Sequence, residues 1–395
     1  MINYDEFLNP RVAEIKPSGI RKYFSIAEEM DNVISLGVGE PDFLTPWHIR
    51  QRGIDTLERG ATRYSANAGI LELRREIASF YSNKYFVNYD YKNEVMVTVG
   101  GSEGIDMCIR CLVCPGDEVL VVEPSFVCYK PIVETCGGKA VPLVTKDENN
   151  FKLMPDELES AITDKTKLLI LPYPNNPTGA VMRKDDLVAI AKVIKKHNLF
   201  VLSDEIYSAL TYGDQSHVSI ASISGMKERT VVINGFSKTY SMTGWRLGYA
   251  LGPKPIIKQM TKLHQYAIMS APTTSQWAAI EALRNGDVDI EKMLADYDMR
   301  RRFTVNAFRE IGLDCFEPEG AFYVFPCIKS TGLSSEEFCE KLIMSKRVAV
   351  VPGNAFGDCG EGYIRCSYCY SIDNIKEAVR RIGEFVKELR MENGN

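Results

Sequence analysis

Lys238 stands in the run Val231-Val-Ile-Asn-Gly-Phe-Ser-Lys-Thr-Tyr-Ser-Met-Thr-Gly-Trp-Arg-Leu-Gly-Tyr249, where an apolar, strand-like segment stops at small and polar residues. A primary amine preceded by Ser237 and followed eight residues later by Arg246 is what a protein needs to hold a phosphorylated aldehyde as a Schiff base. The hydroxyl and the planar guanidinium fork would grip the phosphate. The plainer alternative is an exposed loop lysine, as most lysines are.

Other residues with chemical potential also follow apolar runs, and in an open α/β sheet ligands collect beyond the carboxyl ends of the strands. After Glu94 to Val99 comes Gly100-Gly-Ser-Glu-Gly104, leading into a helical pattern. Glycines there expose amides at a positive helix terminus, which suits a phosphate, although such a turn is commonly only a turn. After Lys167 to Leu171 comes Pro172-Tyr-Pro-Asn-Asn-Pro-Thr-Gly179, whose prolines would present Asn176 rigidly or simply form a tight structural turn. After Leu199 to Leu202 comes Ser203-Asp-Glu-Ile-Tyr207. A carboxylate at Asp204 is costly to bury unless it meets a cation such as a protonated ring nitrogen; alternatively it caps the next helix.

These residues need a scaffold. The five runs Glu94 to Val99, Glu118 to Val122, Lys167 to Leu171, Leu199 to Leu202 and Val231 to Ile233 are apolar on both faces. Strands covered on both sides, with helical segments between them, predict a doubly wound, mostly parallel α/β domain. Residues Asp185 to Asn198 predict one such helix, with Leu187, Ile190, Ala191 and Ile194 on its inner face. The turn-rich Arg284-Asn-Gly-Asp-Val-Asp289 marks the expected boundary to a smaller α/β C-terminal domain. That domain should end in a helix from about Ile372, capped by Ser371, with Ile375, Ala378, Val379 and Ile382 buried.

A chain of 395 residues exceeds the usual size of one core, so two domains with a cleft between them are expected. At 45% hydrophobic and 25% charged residues the composition argues against extensive disorder. A net charge of -5 gives no clustered basic surface, so nucleic acid is not an expected partner. Eleven cysteines and a polar Met1 to Gly19 without an apolar targeting core predict reduced thiols in the cytoplasm. No apolar stretch approaches the ~18 residues that cross a bilayer, so no membrane partner is expected either.

The ordered set Gly37-Val-Gly-Glu-Pro-Asp42, Asn176-Pro-Thr-Gly179, Ser203-Asp-Glu-Ile-Tyr207, Ser237-Lys238 with Gly244-Trp-Arg246, Gly320-Ala-Phe-Tyr323, Val351-Pro-Gly353 and Tyr363-Ile-Arg365 resembles the class I and II aminotransferases. These are the fold type I enzymes that use pyridoxal 5'-phosphate, and the resemblance covers nearly the whole chain. It implies that Lys238 forms the Schiff base and then acts as the proton-moving base. Asp204 would pair with the pyridine nitrogen, Asn176 and Tyr207 would bond the ring's phenolic oxygen, and Phe126, in Pro124-Ser-Phe-Val-Cys-Tyr129, would stack on the ring. Ser237, Arg246 and the amides around Gly101, Ser102 and Glu103 would hold the phosphate. Arg365 would take the substrate's α-carboxylate, with Gly39 in close backbone contact nearby. Tyr64, in Arg63-Tyr-Ser65, would reach the phosphate of the neighbouring subunit, implying a homodimer with shared active sites. The family layout places an N-terminal arm and part of the small domain at 1–45, the large cofactor-binding domain at 46–288 and the small domain at 289–395.

The expected reaction moves an amino group from an L-amino acid to a 2-oxo acid such as 2-oxoglutarate, in ping-pong fashion. A carbon-sulfur β-lyase, which uses the same motifs, and an aspartate aminotransferase are the alternatives within the cofactor class. A cofactor-binding regulator would need an added basic helix-turn-helix, for which the sequence leaves no room. Some bacterial aspartate aminotransferases carry a lysine at the position of Ser102, so strict aspartate specificity is not expected. The segments Asn9-Pro-Arg11 to Pro17-Ser-Gly-Ile-Arg21 and His264-Gln-Tyr266 are similar to aromatic and acetyl-diaminopimelate aminotransferases, pointing to aromatic or long-chain donors. Cys108, Cys111 and Cys114 have a spacing seen in iron-sulfur ligation but read better as small buried apolar residues. Cys366 and Cys369 flank a Cys-x-x-Cys pair without a thioredoxin-like context. Histidines 48, 197, 217 and 264 have no metal spacing, and no metal is expected.

Overall fold

Twelve strands organise the described residues, beginning with β1 (Ile34–Ser35), β2 (Val95–Thr98), β3 (Glu118–Glu123), β4 (Lys139–Val144), β5 (Thr166–Pro172) and β6 (Phe200–Asp204). They continue as β7 (Thr230–Gly235), β8 (Gly248–Leu251), β9 (Tyr323–Val324), β10 (Val348–Ala349), β11 (Val351–Pro352) and β12 (Ile364–Ser367). The computed structural model describes residues 2–17, 19, 30–214 and 216–392. Ser18, Ile20 and Arg21 of the segment similar to aromatic and acetyl-diaminopimelate aminotransferases therefore lie outside the described residues.

Seven strands form one sheet in the order β2-β8-β7-β6-β5-β3-β4. All neighbouring pairs are parallel except those of β8, which runs antiparallel to both β2 and β7. The five apolar runs all become strands of this sheet. Leu120, Val122, Leu169, Leu171 and Val201 bury into a core on one face. Their alternate neighbours Val119, Val121, Leu168, Ile170 and Leu202 bury into a core on the other, as a period-2 backbone between two helical layers requires. β4 was not expected: it is an edge strand with exposed positions, so no continuous apolar run marks it. Nor was β8, whose Gly248-Tyr-Ala-Leu251 is too short to stand out from the loop before it.

The helix Lys184–Lys196 buries Leu187, Ile190, Ala191 and Ile194 as expected, with Val193 besides. Asp186 starts it by accepting from the Arg183 amide at 2.8 Å, and His197 is its C-cap. The final helix, Ile372–Glu392, has its first turn capped by Ser371, whose Oγ accepts from the Asn374 amide at 3.3 Å. Its stripe extends past Ile375, Ala378, Val379 and Ile382 to Phe385, Val386 and Leu389. The turn-rich segment at 284–289 is tighter than expected. Helix Thr273–Asn285 ends and helix Asp287–Glu310 begins on either side of Gly286 alone.

A second core gathers Tyr297 and Phe308 from the long helix, Phe322 and Val324 around β9, Ile364 and Cys366 of β12, and the inner face of the last helix. The three-stranded sheet β11-β12-β9 is antiparallel, and β1 pairs with β10 in parallel. Leu36, Tyr207, Leu210 and Tyr212 also belong to this core. Residues just past β6 thus pack directly against the second sheet, and the two sheets meet where β6 ends.

Candidate active site

The loop after β7 is held from below. Phe236, Tyr240, Met242 and Leu247 are buried in the core, which leaves Ser237 and Lys238 free to face the opposite way. The Tyr240 amide donates to Phe236 O at 3.1 Å and the Met242 amide to Ser237 O at 3.2 Å, closing the turn. Beside β6, the turn after β5 is pinned by Asn175. Its Nδ2 donates to Pro124 O at 3.2 Å, and its Oδ1 accepts from the Thr178 amide at 3.1 Å, so Asn176 is presented in a fixed place.

These strand ends surround a cavity of about 300 Å³. Of the residues expected at the site, Gly39, Gly101, Ser102, Phe126, Asn176, Asp204, Tyr207, Ser237, Lys238, Arg246 and Arg365 all line it. Two do not. Glu103 turns its carboxylate away, accepting from the Val99 amide at 2.5 Å and meeting His264 Nδ1 at 2.7 Å. It caps the helix Gly100–Leu112 rather than facing the cavity. Tyr64 is 82% exposed and is not brought to the cavity of its own chain.

The anion-binding end is built from backbone. Gly100 opens its helix at φ +77°, and a Cβ there would lie 2.7 Å from Arg246 Nη2, so glycine alone lets the amides and the guanidinium share this corner. Arg246 itself has φ +51°, a left-handed backbone uncommon outside glycine, and donates to Thr243 O at 3.0 Å. Helix N-terminus, serine hydroxyl and arginine together favour a doubly charged oxyanion.

Asp204 is buried, and burial pushes its carboxyl up to about 6. Tyr129 Oη donates to Oδ2 at 2.7 Å and the Ile206 amide to Oδ1 at 3.2 Å, which oppose that rise without cancelling it. A carboxyl so placed gains most from a cationic neighbour. No helix begins directly after Asp204, where residues 206–209 form a turn, so the capping alternative does not hold; its bond to Ile206 is part of that turn.

Burial pulls the Lys238 ammonium down to about 8, against the opposing influence of Cys369 and Glu40. Its Nζ donates to Gly39 O at 2.6 Å. An amine in this range is deprotonated often enough near neutral pH to attack a carbonyl. Arg365 is 3% exposed and clamped between two rings, its Cζ 4.5 Å from the centre of Tyr323 and 4.8 Å from that of Phe356. Nη1 donates to Asn176 Oδ1 at 3.0 Å and Nη2 to Gly37 O, while its buried Nε has no partner among the described residues. A buried guanidinium with a donor left over is poised for a carboxylate.

Sequence reasoning missed two residues that touch this constellation. Tyr129, which bonds Asp204, opens the helix Tyr129–Thr135 three residues past Phe126 in the quoted Pro124 to Tyr129 motif, and nothing in that spacing marks it. Tyr323 lies in Gly320-Ala-Phe-Tyr323, and its hydroxyl is 2.7 Å from that of Tyr207. Ile105, Pro172, Pro174, Ile206 and Thr243 complete the wall. The cysteines are less uniform than expected. Cys108 is buried and Cys111 half-buried on one helix, but Cys114 is exposed beyond its end. All four histidines face carboxylates: His48 meets Glu281 and Asp289, His197 Glu159, His217 Glu205 and His264 Glu103.

A large mostly parallel α/β sheet with an amine, a buried acid and an arginine fork at its carboxyl edge defines a fold type I transferase. Residues 31–382 match the family described as aminotransferase class I and II, and the chain belongs to it. It is 44% identical to aromatic-amino-acid aminotransferase 2 of Thermococcus litoralis and 45% identical to an aspartate aminotransferase of Pyrococcus abyssi. Each alignment covers 97% of this chain and 99% of the relative. The crystal structure of an aromatic aminotransferase from Pyrococcus horikoshii OT3 superposes with a TM-score of 0.89 at 43% identity, covering 93% of this chain and 99% of that one. This protein is therefore an enzyme, a transaminase acting on amino and oxo acids, from a family that works with pyridoxal phosphate. No helix among its described residues is long and apolar enough to cross a membrane.

Proposed function

We propose that this chain holds pyridoxal 5'-phosphate in the cavity and transfers the amino group of an aromatic or other long-side-chain L-amino acid to a 2-oxo acid such as 2-oxoglutarate, in ping-pong fashion. The observation that carries this reading is the convergence of Lys238, Asp204 and Arg365 on one cavity. The donor set fits the cofactor at each end. Asp204, pushed up by burial, suits a protonated ring nitrogen, and the Gly100 corner with Ser237 and Arg246 suits the phosphate. Phe126 offers a ring for stacking, and Asn176, with its Oδ1 taken by Arg365, keeps its Nδ2 donors for a ligand.

When bound, pyridoxal phosphate supplies an electrophilic aldehyde and an electron-poor ring that draws charge from the amino acid's α-carbon. The chain does the rest. Lys238 Nζ would hold the cofactor's aldehyde carbon and, once freed by the incoming amino group, would take the α-proton and return one. Asp204, as an anion, would pair with the ring nitrogen and keep it protonated. Arg365 fixes the α-carboxylate and so aims the α-hydrogen. Phe126 and Tyr323 would give the cavity an apolar wall beside the bound group.

The same reading makes the enzyme a homodimer, with exposed Tyr64 contributing to the neighbour's phosphate site, and divides the chain at 1–45, 46–288 and 289–395. Its eleven unpaired cysteines suit the reducing cytoplasm.

Substrate preference follows from charge. The cations in the cavity lining are Lys238, Arg246 and Arg365, each already assigned, and Ser102 adds none. Ile105, Phe126, Ile206 and Tyr323 offer apolar wall instead. A distal carboxylate would forgo a charge-assisted bond of about 1.5 to 3 kcal/mol, or roughly 10- to 150-fold in kcat/KM. We expect a panel of amino donors, each followed by loss of the bound cofactor's visible absorbance and its recovery with 2-oxoglutarate, to rank aromatic donors above aspartate by that margin. Reaction with aspartate alone would overturn the preference, and release of a thiol from a β-thio amino acid would favour the lyase alternative.

Arg365→Ala should raise KM for every donor by a similar factor, roughly 10- to 150-fold, since each lost carboxylate bond is of that size. Saturation kinetics with two donors of different side chain checks this. An effect confined to one donor would place Arg365 at the side chain rather than the α-carboxylate.

A further inference from the structure

Tyr207 and Tyr323 come from different sheets. Tyr207 follows β6 in the seven-stranded sheet, whereas Tyr323 begins β9 and pairs with Ser367 of β12, the strand that carries Arg365. Their hydroxyl oxygens are 2.7 Å apart, and both rings are buried. Two phenols at that distance share one hydrogen bond, so one donates and the other keeps its own proton for a different partner.

Direction is set by Arg365. Its guanidinium lies against the Tyr323 ring, Cζ 4.5 Å from the centroid. Burial raises both phenols and the arginine's charge opposes the rise in both; at Tyr323, which lies against the guanidinium, that charge is the main opposing influence and the phenol is held to about 12, while Tyr207, raised further by its neighbour Tyr323, is pushed well above its ordinary value. The more acidic phenol is the better donor. Gly39 makes the arrangement possible, since a Cβ there would sit 2.0 Å from the Tyr323 hydroxyl.

We propose that Tyr323 is a positioning residue that donates its hydroxyl proton to Tyr207 Oη and thereby aims the Tyr207 proton at the cofactor's phenolic oxygen. The bond from Tyr207 to the ring is then tied to the strand pair that captures the substrate carboxylate. This rests on the reading of the cavity as a pyridoxal-phosphate site.

The test is a pH titration of the visible spectrum of cofactor-loaded protein. A donor at the phenolic oxygen favours its anionic form, so weakening that donor raises the midpoint. Tyr323→Phe should bind cofactor and shift the midpoint upward by about 0.3 to 1 pH unit, the size expected from partial loss of one neutral hydrogen bond. Gly39→Ala, which forces the Tyr323 hydroxyl aside, should do the same. In a Tyr207→Phe background Tyr323→Phe should produce no further shift. An unshifted midpoint in both Tyr323→Phe and Gly39→Ala, or an equal shift in the Tyr207→Phe background, overturns this inference alone. A wild-type protein that binds no cofactor overturns the underlying reading, and this inference with it.

Discussion

Lys238→Ala is expected to eliminate turnover, with kcat lowered by about 10⁴-fold or more, because one amine supplies both the nucleophile and the base and general acid-base catalysis alone is worth roughly 10² to 10⁴. The variant should nonetheless fold. Lys238 contributes one hydrogen bond, to Gly39 O at 2.6 Å, and its ammonium is disfavoured by burial, so removing it relieves a cost as well as a contact. Thermal unfolding of the cofactor-free protein should therefore be close to wild type while transamination is lost. Wild-type turnover in the variant would place the chemistry on another group. A collapse in stability without a specific loss of activity would make Lys238 a structural residue.

Asp204→Asn is the second large effect. It keeps one acceptor oxygen, for the Ile206 amide, and turns its NH2 toward the Tyr129 hydroxyl, which can accept as well as donate, but it removes the negative charge. If that charge holds a proton on the ring nitrogen, kcat should fall by roughly 10- to 150-fold, the equivalent of one charge-assisted bond of about 1.5 to 3 kcal/mol. Cofactor-free protein gives an independent sign check. The folded carboxyl is raised to about 6, above an unfolded value near 3.9, so in wild type stability declines as pH rises from about 4 through 6. Asparagine has no such titration. The variant should be at least as thermostable as wild type at pH 7, and its stability should be flatter across that window. A variant that unfolds more easily at pH 7 than at pH 4, as wild type should, would show that Asp204 is not the group responsible.

The sheet was readable in the sequence because its central strands are buried on both faces, which writes continuous apolar runs into β3, β5, β6 and β7. The edge strand β4 and the short β8 carry no such signature. Lys238, Asp204 and Asn176 could be picked out because each follows one of those runs, and the crevice rule weights the residues beyond a strand's carboxyl end. Tyr129 and Tyr323 could not, because what makes them matter is a contact across long sequence separations: Tyr129 with Asp204, and Tyr323 with Tyr207 and Arg365. Glu103, expected to offer its backbone amide, shows what its side chain does there. It sits in the right glycine-rich segment, yet a helix start also needs a side chain to return to its first amides, and that local requirement turns the carboxylate away from the cavity. Gly39 was legible only as part of a motif. Its physical reason, the space for the Tyr323 hydroxyl, exists only once the two sheets have come together.

The most direct measurement is covalent mapping. Protein incubated with pyridoxal 5'-phosphate, reduced with borohydride and digested should carry the cofactor's added mass on the peptide containing Lys238, and Lys238→Ala should carry none. Labelling of another lysine with Lys238 unmodified, or no labelling at all, would contradict the account.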